Sequence, residues 1–108
     1  MRRGEVVTIA DRSGQFTGKP RPAVIIQTDL FDTPSVTICP LTSTPANAPL
    51  LRIAVEPSPE LPLAQRSWVM VDKITTVWRQ NCGAVIGRLS RAELLRVTSA
   101  IATFLGLG

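Results

Sequence analysis

Apolar positions come in short bursts separated by breakers along most of the chain, and only near the C-terminus do they settle into helical spacing. Glu5-Val6-Val7-Thr8-Ile9 is a β-branched run and predicts a first strand. Residues 11–20 carry Gly14, Gly18 and Pro20 and predict a long, mobile loop. Arg21-Pro22-Ala23-Val24-Ile25-Ile26-Gln27 predicts a second strand, and its continuous apolar stretch points to burial on both faces. Pro22 has no N–H for a ladder, so it belongs at the strand start or on an edge. A turn covers residues 29–34. Val36-Thr37-Ile38-Cys39 predicts a third strand ending at Pro40, after which Leu41-Thr42-Ser43-Thr44-Pro45 opens into a loop. Arg52-Ile53-Ala54-Val55-Glu56 alternates as a fourth strand should. Residues 57–62 contain Pro57, Pro59 and Pro62 and cannot form a central strand. The strongest strand signal runs from Ser67 to Val77. Asp72-Lys73 interrupts it, which predicts a bulge or a change of sheet face. Ala84-Val85-Ile86 predicts a short last strand between Gly83 and Gly87.

The period then changes. Ser90-Arg91-Ala92-Glu93 matches a capping box, with Ser at the cap and Glu three residues later. Leu94, Val97, Ile101, Phe104 and Leu105 fall on one helical face, which reads as core or interface, and Gly106 stops the helix. The pattern thus predicts a mainly β chain with α: five to six short strands, one long early loop and a C-terminal helix. Many short strands with breaker-rich turns favour a small barrel over a flat sheet.

At 108 residues the chain is predicted to be a single domain spanning 1–108. It can bury about two thirds of its unfolded surface, and 44% of its residues are hydrophobic, so a modest core is feasible. A homodimer would be a natural supplement to that core. The net charge is +4, carried by ten Arg and two Lys. Arg suits phosphate because its planar fork donates two parallel hydrogen bonds, so the balance is compatible with nucleic acid and equally with an ordinary basic surface. The chain has no histidine, which excludes imidazole catalysis and His-containing metal sites. Cys39 and Cys82 form no CxxC pair, so no metal, cofactor or redox motif is expected, only buried thiols in a reducing compartment. No apolar signal core follows Arg2-Arg3, and no apolar run approaches the ~20 residues of a membrane span. The expectation is a cytoplasmic protein without a membrane partner.

Four segments, in order, carry a resemblance. Arg3-Gly4-Glu5-Val6 is similar to the opening strand of the MazF/PemK toxins, and Gly18-Lys19-Pro20-Arg21-Pro22-Ala23-Val24-Ile25-Ile26 resembles their G-x-x-R-P-a-v-v segment. Cys39-Pro40-Leu41-Thr42-Ser43 resembles a strand ending in a hydroxyl pair. Val71-Asp72-Lys73-Ile74-Thr75-Thr76-Val77 resembles the family's D-q/k-i-x-t-v strand, and Gly87-Arg88-Leu89 and the final helix fit as well. The resemblance covers nearly the whole chain. It implies an SH3-like (MazF/CcdB-like) barrel with helix, forming a homodimer, and a toxin of a type II toxin–antitoxin module. Most members of the family cleave single-stranded RNA at short sequences without a metal. A cognate antitoxin binds the toxin, and operator DNA is met only through the toxin–antitoxin complex.

RNA supplies its own nucleophile, the 2′-OH beside the scissile phosphate. An enzyme must help deprotonate it, stabilise the phosphorane and protonate the leaving 5′-oxygen. Without histidine the tools are Arg, Lys, hydroxyls and carboxylates. Arg21 leads a buried-looking strand straight after a glycine-containing loop, so its guanidinium can point into a groove with its orientation set by the sheet. The family motif makes it a catalytic residue that binds the scissile phosphate. Charge stabilisation suits it better than general-acid work, because a guanidinium does not readily give up its proton. By the same resemblance Thr42 is the functional hydroxyl, bonding phosphate or orienting the 2′-OH, with Ser43 assisting. Read from the residues alone, both hydroxyls equally satisfy turn backbone beside Pro40 and Pro45.

Lys19, Arg12 and Gln15, with Phe16, are expected to grip RNA from the first long loop, although Phe16 fits a core position as well. Asp72 is a desolvated base, a partner fixing an Arg, or an ion-pair or bulge residue near a dimer interface. Thr75 stands where the family often has a basic residue, with Lys73 two positions earlier. That departure leaves a second catalytic cation and the RNA sequence preference open. Arg79 is expected to extend the basic groove beside Trp78, and Trp68 or Trp78 either stacks on RNA or packs internally. Two other functions remain open: a gyrase poison of the CcdB type acting by protein binding, and a non-catalytic SH3-like module that binds RNA. A phosphate-binding arginine in Gly-Lys-Pro-Arg-Pro favours the nuclease over the gyrase binder.

Overall fold

The computed structural model describes residues 1–10 and 20–108. Its elements are β1 (Glu5–Ile9), β2 (Arg21–Ile25), β3 (Ser35–Thr42), β4 (Arg52–Val55), β5 (Ser67–Met70), a 3-10 turn (Val71–Lys73), β6 (Thr75–Trp78), a second 3-10 turn (Arg79–Asn81), β7 (Cys82–Arg88) and α1 (Arg91–Phe104). Every strand pairing is antiparallel, in the order β4-β5-β3-β2-β1-β7, with β6 attached to β3. There are seven described strands rather than five or six. No described pairing joins β4 to β7, so the sheet is not a closed barrel.

Two of the differences have a common cause in β3. Its first half pairs with β6 (Val36–Val77, Ile38–Thr75) and its second half with β5 (Leu41–Val69, Thr42–Trp68) along the same edge. The segment from Ser67 to Val77 is therefore two strands. The 3-10 turn at Val71–Lys73 carries the chain from one to the other, so Asp72-Lys73 marks a change of sheet rather than a bulge. Pro40 does not end β3 but sits buried inside it. The Ile26 N–H donates to Thr37 O, so strand alternation turns the backbone of Thr37, Cys39 and Leu41 toward β2. Ile38, Pro40 and Thr42 then face the other edge. The donor that Pro40 lacks falls at the seam between β6 and β5, where its absence breaks no paired ladder.

Alternation also divides the core. Val6, Val24, Cys39, Leu41, Val55, Val69 and Val71 pack with Val97 and Ala100 of α1, while Val7, Ile9, Ala23, Ile25, Val36, Ile38 and Val77 form a second cluster. Neighbouring residues of β1, β2 and β3 thus enter opposite clusters, and these strands are buried on both faces, as the apolar run of β2 implies. The capping box forms: Glu93 N–H donates to Ser90 Oγ (3.1 Å) and Ser90 N–H to Glu93 Oε1 (2.9 Å). Gly106, at φ +74°, ends the helix in a Schellman motif, with Leu107 N–H on Ala102 O and Gly106 N–H on Thr103 O. Phe104 and Leu105 are exposed, and the buried helix face is Val97 and Ala100 with Leu94 and Ile101 beside them. Arg3 ties this helix to the sheet, donating from Nε to Ile26 O and from Nη2 to Thr98 Oγ1 (2.6 Å).

Candidate functional site

The β2–β3 register is the element that builds the site. Its pairs run Ile25–Ile38, Val24–Cys39 and Ala23–Pro40. Two steps further along each strand the same register places Arg21 across from Thr42. β1 still holds Arg21 there through the Ile9–Arg21 pair. Arg21 is exposed and Thr42 half-buried, and both line one cleft of about 240 Å³ together with Pro22, Leu41, Ser43 and Thr44. Arg21 is the only formal charge among the described residues lining it. Thr42 Oγ1 accepts the Thr44 N–H at 3.1 Å, the local turn bond that a strand-end threonine often makes. Its hydroxyl hydrogen remains available to a ligand.

The opposite wall is Leu63, Ala64, Gln65 and Ser67. It is carried by residues 56–66, which are pinned at three points. Ser58 and Leu61 exchange backbone hydrogen bonds at 3.0 Å each, Leu61 is fully buried, and Arg88 N–H donates to Glu60 O at 2.9 Å. A segment that its prolines exclude from the sheet is thereby made rigid enough to serve as a wall.

The other described residues singled out from the sequence lie elsewhere. Arg12, Gln15, Phe16 and Lys19 fall outside the described residues. Asp72 is held by Arg52, whose Nε meets Oδ1 at 3.0 Å and Nη2 meets Oδ2 at 3.2 Å. This two-point bond keeps the Asp72 carboxyl below its ordinary value of 3.8, so it is an ionised partner rather than a raised-pKa base. Lys73 is exposed on the 3-10 turn, and Thr75 pairs with Ile38 inside the sheet. Arg79 donates from Nε to Thr33 O and lines a separate polar cleft of about 370 Å³ with Gln27, Asp29 and Asp32. Trp78 is exposed on β6, while Trp68 lines a third and larger groove, of about 620 Å³, between β4, β5 and α1. The site therefore unites Arg21, Thr42 and Ser43 and leaves Asp72, Lys73, Thr75 and Arg79 outside.

Sequence reasoning missed Arg52, Thr44, Gln65 and Ser67. An aspartate in an apolar strand calls for a cation, and Arg52 at the start of the preceding alternating strand was the available signal for that pair. Nothing in the pattern of residues 57–66 marked Gln65. Burial pushes the Cys39 thiol up to about 12, with the Asp72 charge adding to the shift, and burial also raises Cys82. Neither thiol lies in the cleft. The described residues hold no group of three or more His, Cys, Asp or Glu side chains that could bind a metal ion.

The family model for the PemK-like, MazF-like toxin of type II toxin–antitoxin systems matches residues 2–105. A protein of Mycolicibacterium smegmatis described as a probable endoribonuclease MazF is 48% identical over 99% of this chain and 98% of its own length. A solved mycobacterial endoribonuclease in complex with its cognate antitoxin superposes with a TM-score of 0.79 at 26% identity, covering 100% of this chain and 97% of that one. MazE–MazF from Deinococcus radiodurans (Form-II) superposes at 0.77 over 100% of this chain and 97% of that one, and at 21% identity it speaks to the fold alone.

Proposed function

Because the chain belongs to the PemK-like, MazF-like family of toxins of type II toxin–antitoxin systems, we propose that it is a sequence-specific endoribonuclease. It cleaves single-stranded RNA, independently of metal, by attack of the 2′-OH on the scissile phosphate. The observation that carries this reading is the shared cleft of Arg21 and Thr42, a cation and a hydroxyl facing each other from adjacent strand ends. The activity follows that of the mycobacterial relatives, which are described as endoribonucleases.

Arg21 binds the non-bridging phosphate oxygens with its guanidinium fork and neutralises charge as the phosphorane forms. Thr42 donates its hydroxyl to the same phosphate or to the 2′-oxygen, and Ser43 extends that contact. The P–O2′ bond forms, the P–O5′ bond breaks, and the products are a 2′,3′-cyclic phosphate and a 5′-OH. In this reading water takes the 2′-OH proton and protonates the 5′-oxygen, while Thr42 orients the 2′-OH. The donor set supports metal independence: the chain has no histidine, and its acids lie outside the described cleft lining. The remaining loop cations Lys19 and Arg12, with Gln15, bring the RNA to this cleft in the same reading. Asp72, Lys73, Thr75 and Arg79 lie outside the cleft lining.

The chain works as a homodimer in the cytoplasm. Leu95, Phe104, Leu105 and Leu107 of the C-terminal segment are exposed apolar side chains that a second copy would cover. Its protein partner is a cognate antitoxin, like that of the mycobacterial structure, and the net charge of +4 suits an acidic one. Operator DNA is bound only through that complex. The test is a single-stranded RNA in EDTA, with and without 2′-O-methylation at the cleaved nucleotide. Cleavage of the unmodified strand to a cyclic phosphate, and none of the methylated strand, is expected. Equal cleavage of both would remove the 2′-OH mechanism.

A further inference from the structure

Gln65 lines the cleft from the bend that precedes β5. Ser67, which opens β5, is buried, and its hydroxyl donates to Gln65 O at 3.2 Å. Arg66 leaves by the other side: its Nε lies 2.7 Å from Glu56 Oε1 and its guanidinium 5.3 Å from the Trp68 ring centroid. Trp68 lines the larger groove. The cleft lining takes in Gln65 and Ser67 and neither Arg66 nor Trp68.

Gln65 differs chemically from everything else on the described cleft surface. Arg21 only donates. The Thr42 oxygen already accepts the Thr44 N–H, and the Ser67 hydroxyl is committed to the Gln65 carbonyl. The Gln65 side-chain amide bonds to no other described residue. It presents a donor and an acceptor side by side in one plane, the pattern that matches a nucleobase edge. It also stands on the wall facing the proposed phosphate ligands, on a segment anchored by Leu61 and Glu60. In single-stranded RNA the Watson–Crick and Hoogsteen edges are free to be read.

We infer that Gln65 reads the nucleobase beside the scissile phosphate and sets the sequence preference at that one position. The inference rests on the endoribonuclease reading above. The base is adenine, which offers an adjacent donor and acceptor on both of its free edges and is the usual partner of a glutamine amide.

The experiment is cleavage of a randomised single-stranded RNA pool by the parent, Gln65→Ala and Gln65→Glu, with the new ends sequenced. The parent is expected to favour adenine at one position. Gln65→Ala should lose that preference by about tenfold, the scale of one bidentate base contact, and leave other positions unchanged. Gln65→Glu offers acceptors only, so the same position should turn toward guanine, whose Watson–Crick edge carries two adjacent donors. An unchanged pattern in both variants overturns the inference, as does a uniform slowing with no position altered. If a different base is favoured at the altered position, the adenine assignment falls. No cleavage by the parent would sink the endoribonuclease reading and this inference together, whereas parental cleavage with unaltered variants sinks only the inference.

Discussion

Replacing Gly87 by alanine should be among the most damaging single methyl additions to this chain, and the distances say why. A methyl there would lie 2.5 Å from Glu60 O, 2.9 Å from Leu61 Cα and 3.1 Å from Pro62 Cδ. Carbon and oxygen rarely approach closer than about 3.3 Å, so β7 and the cleft-wall segment must separate by about 0.8 Å. Two of the three obstructing atoms are backbone and cannot rotate away. The same separation stretches the Arg88 N–H to Glu60 O bond from its present 2.9 Å. Overpacking of this kind costs about 1–3 kcal/mol, and the weakened hydrogen bond adds about 1 kcal/mol. A total of about 3 kcal/mol corresponds to a fall in Tm of about 10–20 °C for a domain of this size. Gly83→Ala is the informative comparison, because its methyl would meet chiefly the Thr8 hydroxyl, a side-chain atom that can turn aside. Gly108→Ala meets nothing within 4 Å and should be neutral. Calorimetric melts of the three variants should therefore rank Gly87→Ala well below Gly83→Ala, and Gly83→Ala below Gly108→Ala. At a temperature where Gly87→Ala remains folded, its KM for RNA should rise, since Leu63, Ala64 and Gln65 ride on the displaced segment. A Gly87→Ala melt within about 2 °C of the parent would refute the claim that this contact holds the wall.

Three further outcomes test the site and its surroundings. Thr42→Val removes the acceptor of the Thr44 N–H and should cost about 1 kcal/mol in denaturant melts, while slowing RNA cleavage; Thr42→Ser should recover both. Asp72→Asn should cost about 1–2 kcal/mol at pH 7, a modest value because the pair is partly solvated. The Asp72 pKa is lowered on folding, so its stabilisation is present above the ordinary 3.8 and lost as pH falls through the folded value. The gap between parent and Asp72→Asn in pH-dependent melts should therefore close on acidification and stay open from pH 5 upward. The Cys39 thiol is raised from 9.0 to about 12, so its contribution is intact below pH 9 and fades as pH climbs toward 12. Cys39→Ala should accordingly show a flatter loss of Tm above pH 9 than the parent.

The parts of this fold that were legible from the chain are those where local chemistry and tertiary context agree. β1 follows its β-branched run, the helix starts on its capping box and stops at Gly106, and the continuous apolar run of β2 announces burial on both faces. Pro40 misleads because a proline looks like a strand end when no neighbour is known. Only the seam between β5 and β6 shows that its missing donor is harmless there. Phe104 and Leu105 continue the helical stripe in sequence, yet the core that α1 packs against ends at Ile101 and leaves them exposed. Within the cleft, Arg21 could be named because a histidine-free chain needs a cation for phosphate. Thr42 could be named only through family resemblance, and the strand register now gives it an independent place opposite Arg21. Gln65 was silent because its position depends on how the proline-rich segment folds against Gly87 and Leu61, contacts that no local pattern records.

If RNA is cut in the cleft of Arg21 and Thr42, the Arg21→Ala variant, assayed in EDTA on a long single-stranded RNA, should show it. Arg21 is exposed, so the variant should melt with the parent. Its cleavage rate should fall by about 100-fold or more, as expected when a charge-stabilising donor is removed from a reacting phosphate. Arg21→Lys, which keeps the charge and loses the two-point fork, should fall between the two. Cleavage by Arg21→Ala at the parental rate, with the parental pattern of ends, would contradict the account.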